Sequence, residues 1–448
     1  MAKGDGVGGS AWREMDPVLL ALLLLPGLVL RLWLAPYTTG SDIAQFAGFA
    51  DTFLRHGLDF LEYSDGHAAG LEGWPYGWAY VYGPLFIVVL GLLRLAAPSP
   101  VTHYWVGDTY IVLVPRDWII ANKLVYIAFD TVSAVALALV VYALTRSGRW
   151  SILSALLYYY NPMTIYVSSI YGMFDQIPLA FLLLGLYAYL SRGSLRWATL
   201  LWALGAMFKP SILVAVVPFA FYLAGRMGRV RGLKWLLLLA GIILVGYVPF
   251  ALKNPHGLLV YIKGVEDVSC PCYTGPVSYS FNGFSSVAFY VWNHTGVDTS
   301  YILSKWPYLF APLYLAVLYV AYKKGLLVES VALGYIVFTA AYWRVNAQYL
   351  VVSVALFLLL SRLYRGRDPL LSYSSIVAWL LVGLWPLIYP VSFWAHVHLS
   401  AVNPHVASFL EAVSFNVYDD LVYVYYSLWL TIVELVLVID YLVHGSRR

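Results

Sequence analysis

The chain has 448 residues, of which 61% are hydrophobic, 17% aromatic and 11% charged, and its mean hydropathy is +0.75. A soluble globular domain carries about 25% charged residues, so this composition excludes one and points to an all-α polytopic membrane protein. The net charge of +4 decides little, because in a membrane chain the information lies in which loops hold Lys and Arg.

Residues 1–16 form a polar, Gly-rich tail without a cleavable signal pattern, and 17–36 is an apolar run long enough to stay as the first transmembrane helix. Residues 37–117 read as a long first outer loop. Its apolar stretch at 79–97 is interrupted by Gly83, Pro84 and Arg94 and suits an interfacial helix better than a span. The segment 118–252 is a transmembrane module with runs at 118–145, 151–170, 176–190, 197–208, 210–225 and 235–252. A second outer loop, 253–300, precedes a C-terminal transmembrane module, 301–448, with runs at 301–322, 326–343, 348–363, 371–391 and 417–442.

Basic residues set the orientation. The clusters are Arg146 and Arg149; Arg192 and Arg196; Arg226, Arg229, Arg231 and Lys234; Lys323 and Lys324; Arg362, Arg365 and Arg367; and Arg447 and Arg448. All of them are cytoplasmic together if 79–97 does not cross and 197–225 is two short helices that turn at Lys209-Pro210. The expected result is about twelve spans with both termini inside.

This orientation sends the short polar motifs outward. Asp42, in "TTGSDIAQFAGFADTFLRHG", stands at a helix start. It is either part of an N-cap or a carboxylate able to take a proton from an incoming hydroxyl. Asp175, in "YGMFDQIP", has the same two readings. An acid at membrane depth costs about 2.5 to 3.5 kcal/mol on insertion scales, which favours a functional role for Asp175 with its neighbour Gln176. Lys209 is a snorkelling lysine or a cation for an anionic group such as a phosphate. Arg344, Asn346, Gln348 and Tyr349, in "YWRVNAQYL", gather donors at one helix entrance, a pattern that suits an oxyanion or a sugar.

Other polar residues read more plainly. Asp130, inside the second span, is expected to hydrogen-bond neighbouring helices. Asp419 and Asp420 read as solvated, and His396, His398 and His405 as interfacial. Cys270-Pro271-Cys272 is too tight for an easy mutual disulfide and lacks the partners of a zinc site. The aromatic outer loops, such as "EGWPYGWAYVYGP", suit sugar rings or lipid head groups. No phosphate-binding loop or dinucleotide fingerprint occurs, so nucleotide chemistry has no support and no nucleic-acid partner is expected.

The pieces "SDIAQFAGFADTFLRHG", "YVYGPL", "NKLVYIAFDTVSAVALALVVYAL", "YNPMTIYVSSIYGMFDQIP", "ALGAMFKPSILVAVVP" and "RVNAQYL" occur in one order. Together they resemble the GT-C glycosyltransferases, and within them the catalytic subunit family of glycosylphosphatidylinositol mannosyltransferase I. The resemblance covers most of residues 17–225 together with 330–360. It implies inverting transfer of a hexose, mannose foremost, from a dolichyl or polyprenyl phosphate to a glycan, glycolipid or protein acceptor on the outer face of the cell membrane. In that reading Asp42 is the general base and Lys209 and Arg344 hold the departing phosphate. Asp175, Gln176, Asn346, Gln348 and Tyr349 bind substrate. The family's Asp-x-Asp is broken here, because Gly40 stands where its first acid belongs. No metal ligand is therefore assigned, and a divalent cation, magnesium or manganese, stays open. The alternative function is a multi-span transporter or lipid flippase, in which Asp130 and Asp175 line a pathway.

Overall fold

Asp16 opens the described part of the chain by accepting the backbone N–H groups of Val18 and Leu19 at 2.9 and 3.1 Å, with Pro17 at the first helical position. The computed structural model describes residues 16–271, 280–388 and 420–445. Its first elements are α1 (Pro17–Leu34), α2 (Ser41–His56) and α3 (Pro84–Ala96), followed by the strands β1 (Thr102–Val106) and β2 (Thr109–Leu113). The helices α4 (Arg116–Thr145), α5 (Gly148–Tyr159), α6 (Gln176–Arg192), α7 (Leu195–Phe208), α8 (Leu213–Met227) and α9 (Arg229–Lys253) come next. After them run α10 (Pro255–Ser269), α11 (Gly283–Thr295), α12 (Trp306–Lys324), α13 (Leu327–Ala341), α14 (Ala347–Tyr364), α15 (Pro369–Ile388) and α16 (Asp420–Gly445).

Among the described residues, seven helices are long and apolar enough to cross a membrane: 17–37, 116–145, 210–227, 229–253, 347–364, 369–386 and 421–443. The fold is thus all-α in its membrane part, with several candidate spans. The expected number was about twelve. Part of the difference lies in helices such as α7 and α13, whose 14 and 15 residues fall short of the roughly 20 that a bilayer core requires. The surface of α9 has the character of a lipid-facing helix, with Leu237, Leu244 and Val245 all more than half exposed.

One expected detail is met and two are corrected. The stretch 197–225 divides at Lys209-Pro210 into α7 and α8, because Pro210 cannot continue the preceding helix. α3 has 13 residues, about 20 Å of helix, and like α7 and α13 is shorter than the roughly 20 residues that a bilayer core requires. By contrast 151–170 is broken: α5 stops at Tyr159, Asn161 caps a new turn that begins at Pro162, and residues Tyr166–Tyr171 follow as a π-helical turn. The Cys-Pro-Cys expectation is also corrected, since Cys270 is disulfide-bonded. It sits in extended backbone before Pro271, the conformation a proline imposes on its predecessor. Cys272, the chain's other cysteine, lies outside the described residues, as do His396, His398, His405 and Asp419.

Arg31 and Asp130 form a buried ion pair inside the bundle. Arg31 of α1 holds Asp130 of α4 at 2.7 Å, and Tyr158 of α5 donates to the other carboxylate oxygen at 2.8 Å. Arg31 also donates to the Tyr159 carbonyl at 2.6 Å and lies 3.8 Å from that residue's ring centroid. Asp130 therefore ties three helices together, as its sequence setting suggested. The segment 37–117 packs through an aromatic cluster in which Phe86 stacks on Phe174 at 3.7 Å and meets Phe46 edge-on at 5.1 Å, while Tyr82 meets Phe174 at 5.0 Å. α2, the 80–84 loop and the segment before α6 share this cluster, which fixes the elements that carry Asp42 and Asp175.

Candidate active site

Asp42 does not cap its helix. α2 begins at Ser41 behind Gly40, and no side chain makes a capping hydrogen bond there. The Asp42 carboxylate instead accepts the hydroxyl of Tyr171 on Oδ2. The side chain keeps partial exposure, yet the protein around it strips most of its hydration. That burial raises its pKa above the ordinary carboxylate range, and the Tyr171 hydrogen bond and the charges of Lys209 and Arg344 pull the other way.

The π-helical turn delivers Tyr171 to this position. Its wide winding ends at Gly172, where φ is +87° and a side chain would press on Ile43 and on Lys123 Cε at 3.1 Å. The last carbonyls of such a turn need donors from outside it. Lys123, fully buried in α4, donates to Ser169 and Ile170 at 2.7 and 2.9 Å and to Ala35 at 3.1 Å, and also to the Thr38 carbonyl. The Gly40 N–H donates to the Tyr171 carbonyl at 2.7 Å. One ammonium group thus pins both the chain leaving α1 and the turn that leads to Asp175.

Asp175 occupies the N-cap position of α6 but makes no capping bond. Its Oδ1 accepts from Lys209 Nζ at 2.7 Å, with both side chains buried. Lys209, held in extended backbone between α7 and Pro210, lies 4.4 Å from the Tyr349 ring centroid and 5.5 Å from that of Phe174. Asp175 Oδ2 and both amide atoms of the buried Gln176 have no hydrogen-bond partner among the described residues. Buried polar atoms left open in this way suit a polar ligand or water.

The loop from α13 to α14 is anchored on both sides of Arg344. Trp343 is fully buried and its indole donates to the Ser269 carbonyl at 3.0 Å, while Phe281 N–H donates to the Val345 carbonyl at 2.7 Å. Arg344 between them is half-buried, and its Nε lacks a partner among the described residues. Asn346 stands at the N-cap of α14 without capping it, Gln348 is buried two residues on, and the Tyr349 carbonyl accepts the Tyr335 hydroxyl at 3.1 Å.

Asp42 feels the charges of Lys209, Arg344 and Asp175, and Tyr349 feels those of Asp175, Arg344 and Asp42. Five residues from four separate stretches of chain therefore lie within electrostatic range of one another. Gln176, Asn346 and Gln348 flank them on the same helix starts. Reading the sequence did not single out Tyr171 or Lys123. "SSIYGMFD" reads as apolar chain, and the one local sign of a special backbone was the glycine after the tyrosine.

A divalent cation fits this donor set poorly. A Cβ at position 40 would lie within 2.9 Å of Tyr171 Cζ and closer still to two other ring carbons. The ring thus fills the place that a first acid of Asp-x-Asp would need, its hydroxyl takes Oδ2 of Asp42, and Lys209 takes Oδ1 of Asp175. No protein-family model matches the chain, and no curated protein sequence matches it.

Proposed function

We propose that this chain is an inverting membrane glycosyltransferase of GT-C type, which moves a hexose, mannose foremost, from a polyprenyl or dolichyl phosphate to a hydroxyl acceptor on the outer face. The observation that carries this reading is the convergence of one desolvated carboxylate, Asp42, with two cations, Lys209 and Arg344, beside buried polar atoms that lack partners among the described residues. A lipid-phosphate sugar is already activated, so its transfer needs a base for the acceptor and positive charge for the leaving phosphate. Asp42 takes the proton of the acceptor hydroxyl as that oxygen bonds to the anomeric carbon. The bond from carbon to phosphate oxygen breaks on the opposite side, and the electron pair leaves with the phosphate toward Arg344 and Lys209. No step is assigned to a metal.

Added to the seven candidate spans, α6, α12, the broken stretch 151–170 and the short helices α7 and α13 make the proposed twelve crossings, with the shortfall in length met by local thinning of the bilayer. The transport reading loses one of its two pathway acids to structure, because Asp130 spends both oxygens on Arg31 and Tyr158. The test is transfer by the purified chain in lipid from a labelled polyprenyl-phosphate mannose. Transfer by wild type and its loss in Asp42→Asn support the proposal; undiminished transfer by the variant removes the base.

A further inference from the structure

Gly40 and Tyr171 meet so closely that neither position is independent of the other. The tyrosine ring lies on the bare Cα of the glycine, in space that any Cβ at 40 would enter. Main-chain bonding fixes the same pair, through the Gly40 N–H on the Tyr171 carbonyl at 2.7 Å. Lys123 clamps both flanks, by way of Thr38 on one side and Ser169 and Ile170 on the other. With its backbone and ring held in this way, Tyr171 has one direction left for its hydroxyl, and that direction ends on Asp42 Oδ2.

We propose that Tyr171 is the positioning residue of the catalytic carboxylate. Seated on Gly40, it occupies Asp42 Oδ2 and so leaves Oδ1 as the oxygen that receives the acceptor's proton. The pair does by a phenol hydrogen bond what a second acid and a cation would otherwise do, which is to fix the carboxylate and favour its ionised form. This inference rests on the glycosyltransferase reading for its word "catalytic", but the device itself does not need a substrate. The groups around Asp42 come from every neighbouring element: Tyr166 and Tyr171 on the π-helical turn, Asp175 before α6, Lys209 after α7, Arg344 and Tyr349 at the start of α14, Tyr126 on α4, and Tyr76 and Tyr82 on the outer loop. Of these, Tyr171 alone is hydrogen-bonded to its carboxylate among the described residues.

The experiment is an infrared titration of the Asp42 carboxyl band in the full chain in lipid, with Asp42→Asn to identify the band. Tyr171→Phe keeps the ring and deletes the hydroxyl, and its midpoint is expected at a higher pH than that of wild type. Gly40→Ala drives the ring away and gives a shift in the same direction. In a Tyr171→Ala background, Gly40→Ala adds nothing, because the ring it would strike is gone. An unmoved midpoint in Tyr171→Phe overturns the proposal, and equal shifts for Gly40→Ala in both backgrounds overturn the pairing. Absence of sugar transfer by the wild-type chain would sink the glycosyltransferase reading and leave the titration to decide on Tyr171 alone.

Discussion

Lys209 Nζ lies 2.7 Å from Asp175 Oδ1 with both side chains buried, although 34 residues separate them in the chain. A buried ion pair is weak ground for stability, but removal of one partner leaves an uncompensated charge and costs about 3 to 5 kcal/mol. Asp175→Asn is expected to destabilise the protein by that amount in thermal unfolding, and Asp175→Leu with Lys209→Met by clearly less. A polyprenyl phosphate added to Asp175→Asn offers the lost negative charge, so it should raise the melting temperature more than it does for wild type. An equal rise in both would count against Lys209 as a phosphate ligand.

Burial lifts the Asp42 carboxyl above its ordinary range. A base must be ionised to accept a proton, so transfer should fall as pH drops through that raised value, with an acid limb above the usual carboxylate region. The sign for stability is the reverse. A carboxyl whose folded pKa exceeds its unfolded one adds stability below the unfolded value and loses it as pH rises through the folded value. Asp42→Asn should therefore unfold at a higher temperature than wild type at neutral pH, with the gap closing in acid, while its transfer rate drops by about 10²- to 10⁴-fold. Melting curves across pH and initial rates check the two halves separately.

Lys123 serves carbonyls of Ala35, Thr38, Ser169 and Ile170. Lys123→Met deletes their shared donor, and each buried acceptor left open costs about 1 to 3 kcal/mol. The expected result is a marked loss of stability, with faster proteolysis or hydrogen exchange at residues 35–42 and 166–175 ahead of the rest of the bundle. Uniform loosening over the chain would argue against a local clamp.

Asp130 separates the catalytic and transport readings. Asp130→Asn leaves Arg31 buried without its counter-charge and should cost stability on the scale of a broken buried pair, about 3 to 5 kcal/mol. Sugar transfer per folded molecule should be unchanged, because Asp130 reaches α1, α5 and Ser168 on the π-helical turn but none of the proposed reactive groups. A specific loss of activity in a fully folded variant would return Asp130 to a functional pathway.

The membrane class, the turn at Lys209-Pro210 and the shortness of α3 were legible in the sequence, because each follows from composition, from proline chemistry or from a count of apolar residues. The hairpin of β1 and β2, which turns at Gly107 with φ +57°, was not expected within an aromatic loop that lacks a strong alternating pattern. Asp42 and Asp175 were visible as charges out of place, yet their side-chain partners were not. Position alone suggested helix caps; the carboxylates turn instead to Tyr171 and Lys209, which only the tertiary fold brings near. The broken third run shows the same limit, since hydropathy cannot see that Asn161-Pro162 starts a new turn within apolar chain.

The close fit of Gly40 under the Tyr171 ring has a consequence for the history of the site. An acid cannot enter position 40 while the ring is there, and the ring cannot leave without releasing Asp42, so either single change meets a penalty that the other would have relieved. Substitutions at 40 and 171 are therefore expected to be coupled, and sequences descended from a common ancestor with this chain should carry a small residue at 40 wherever an aromatic ring stands at 171.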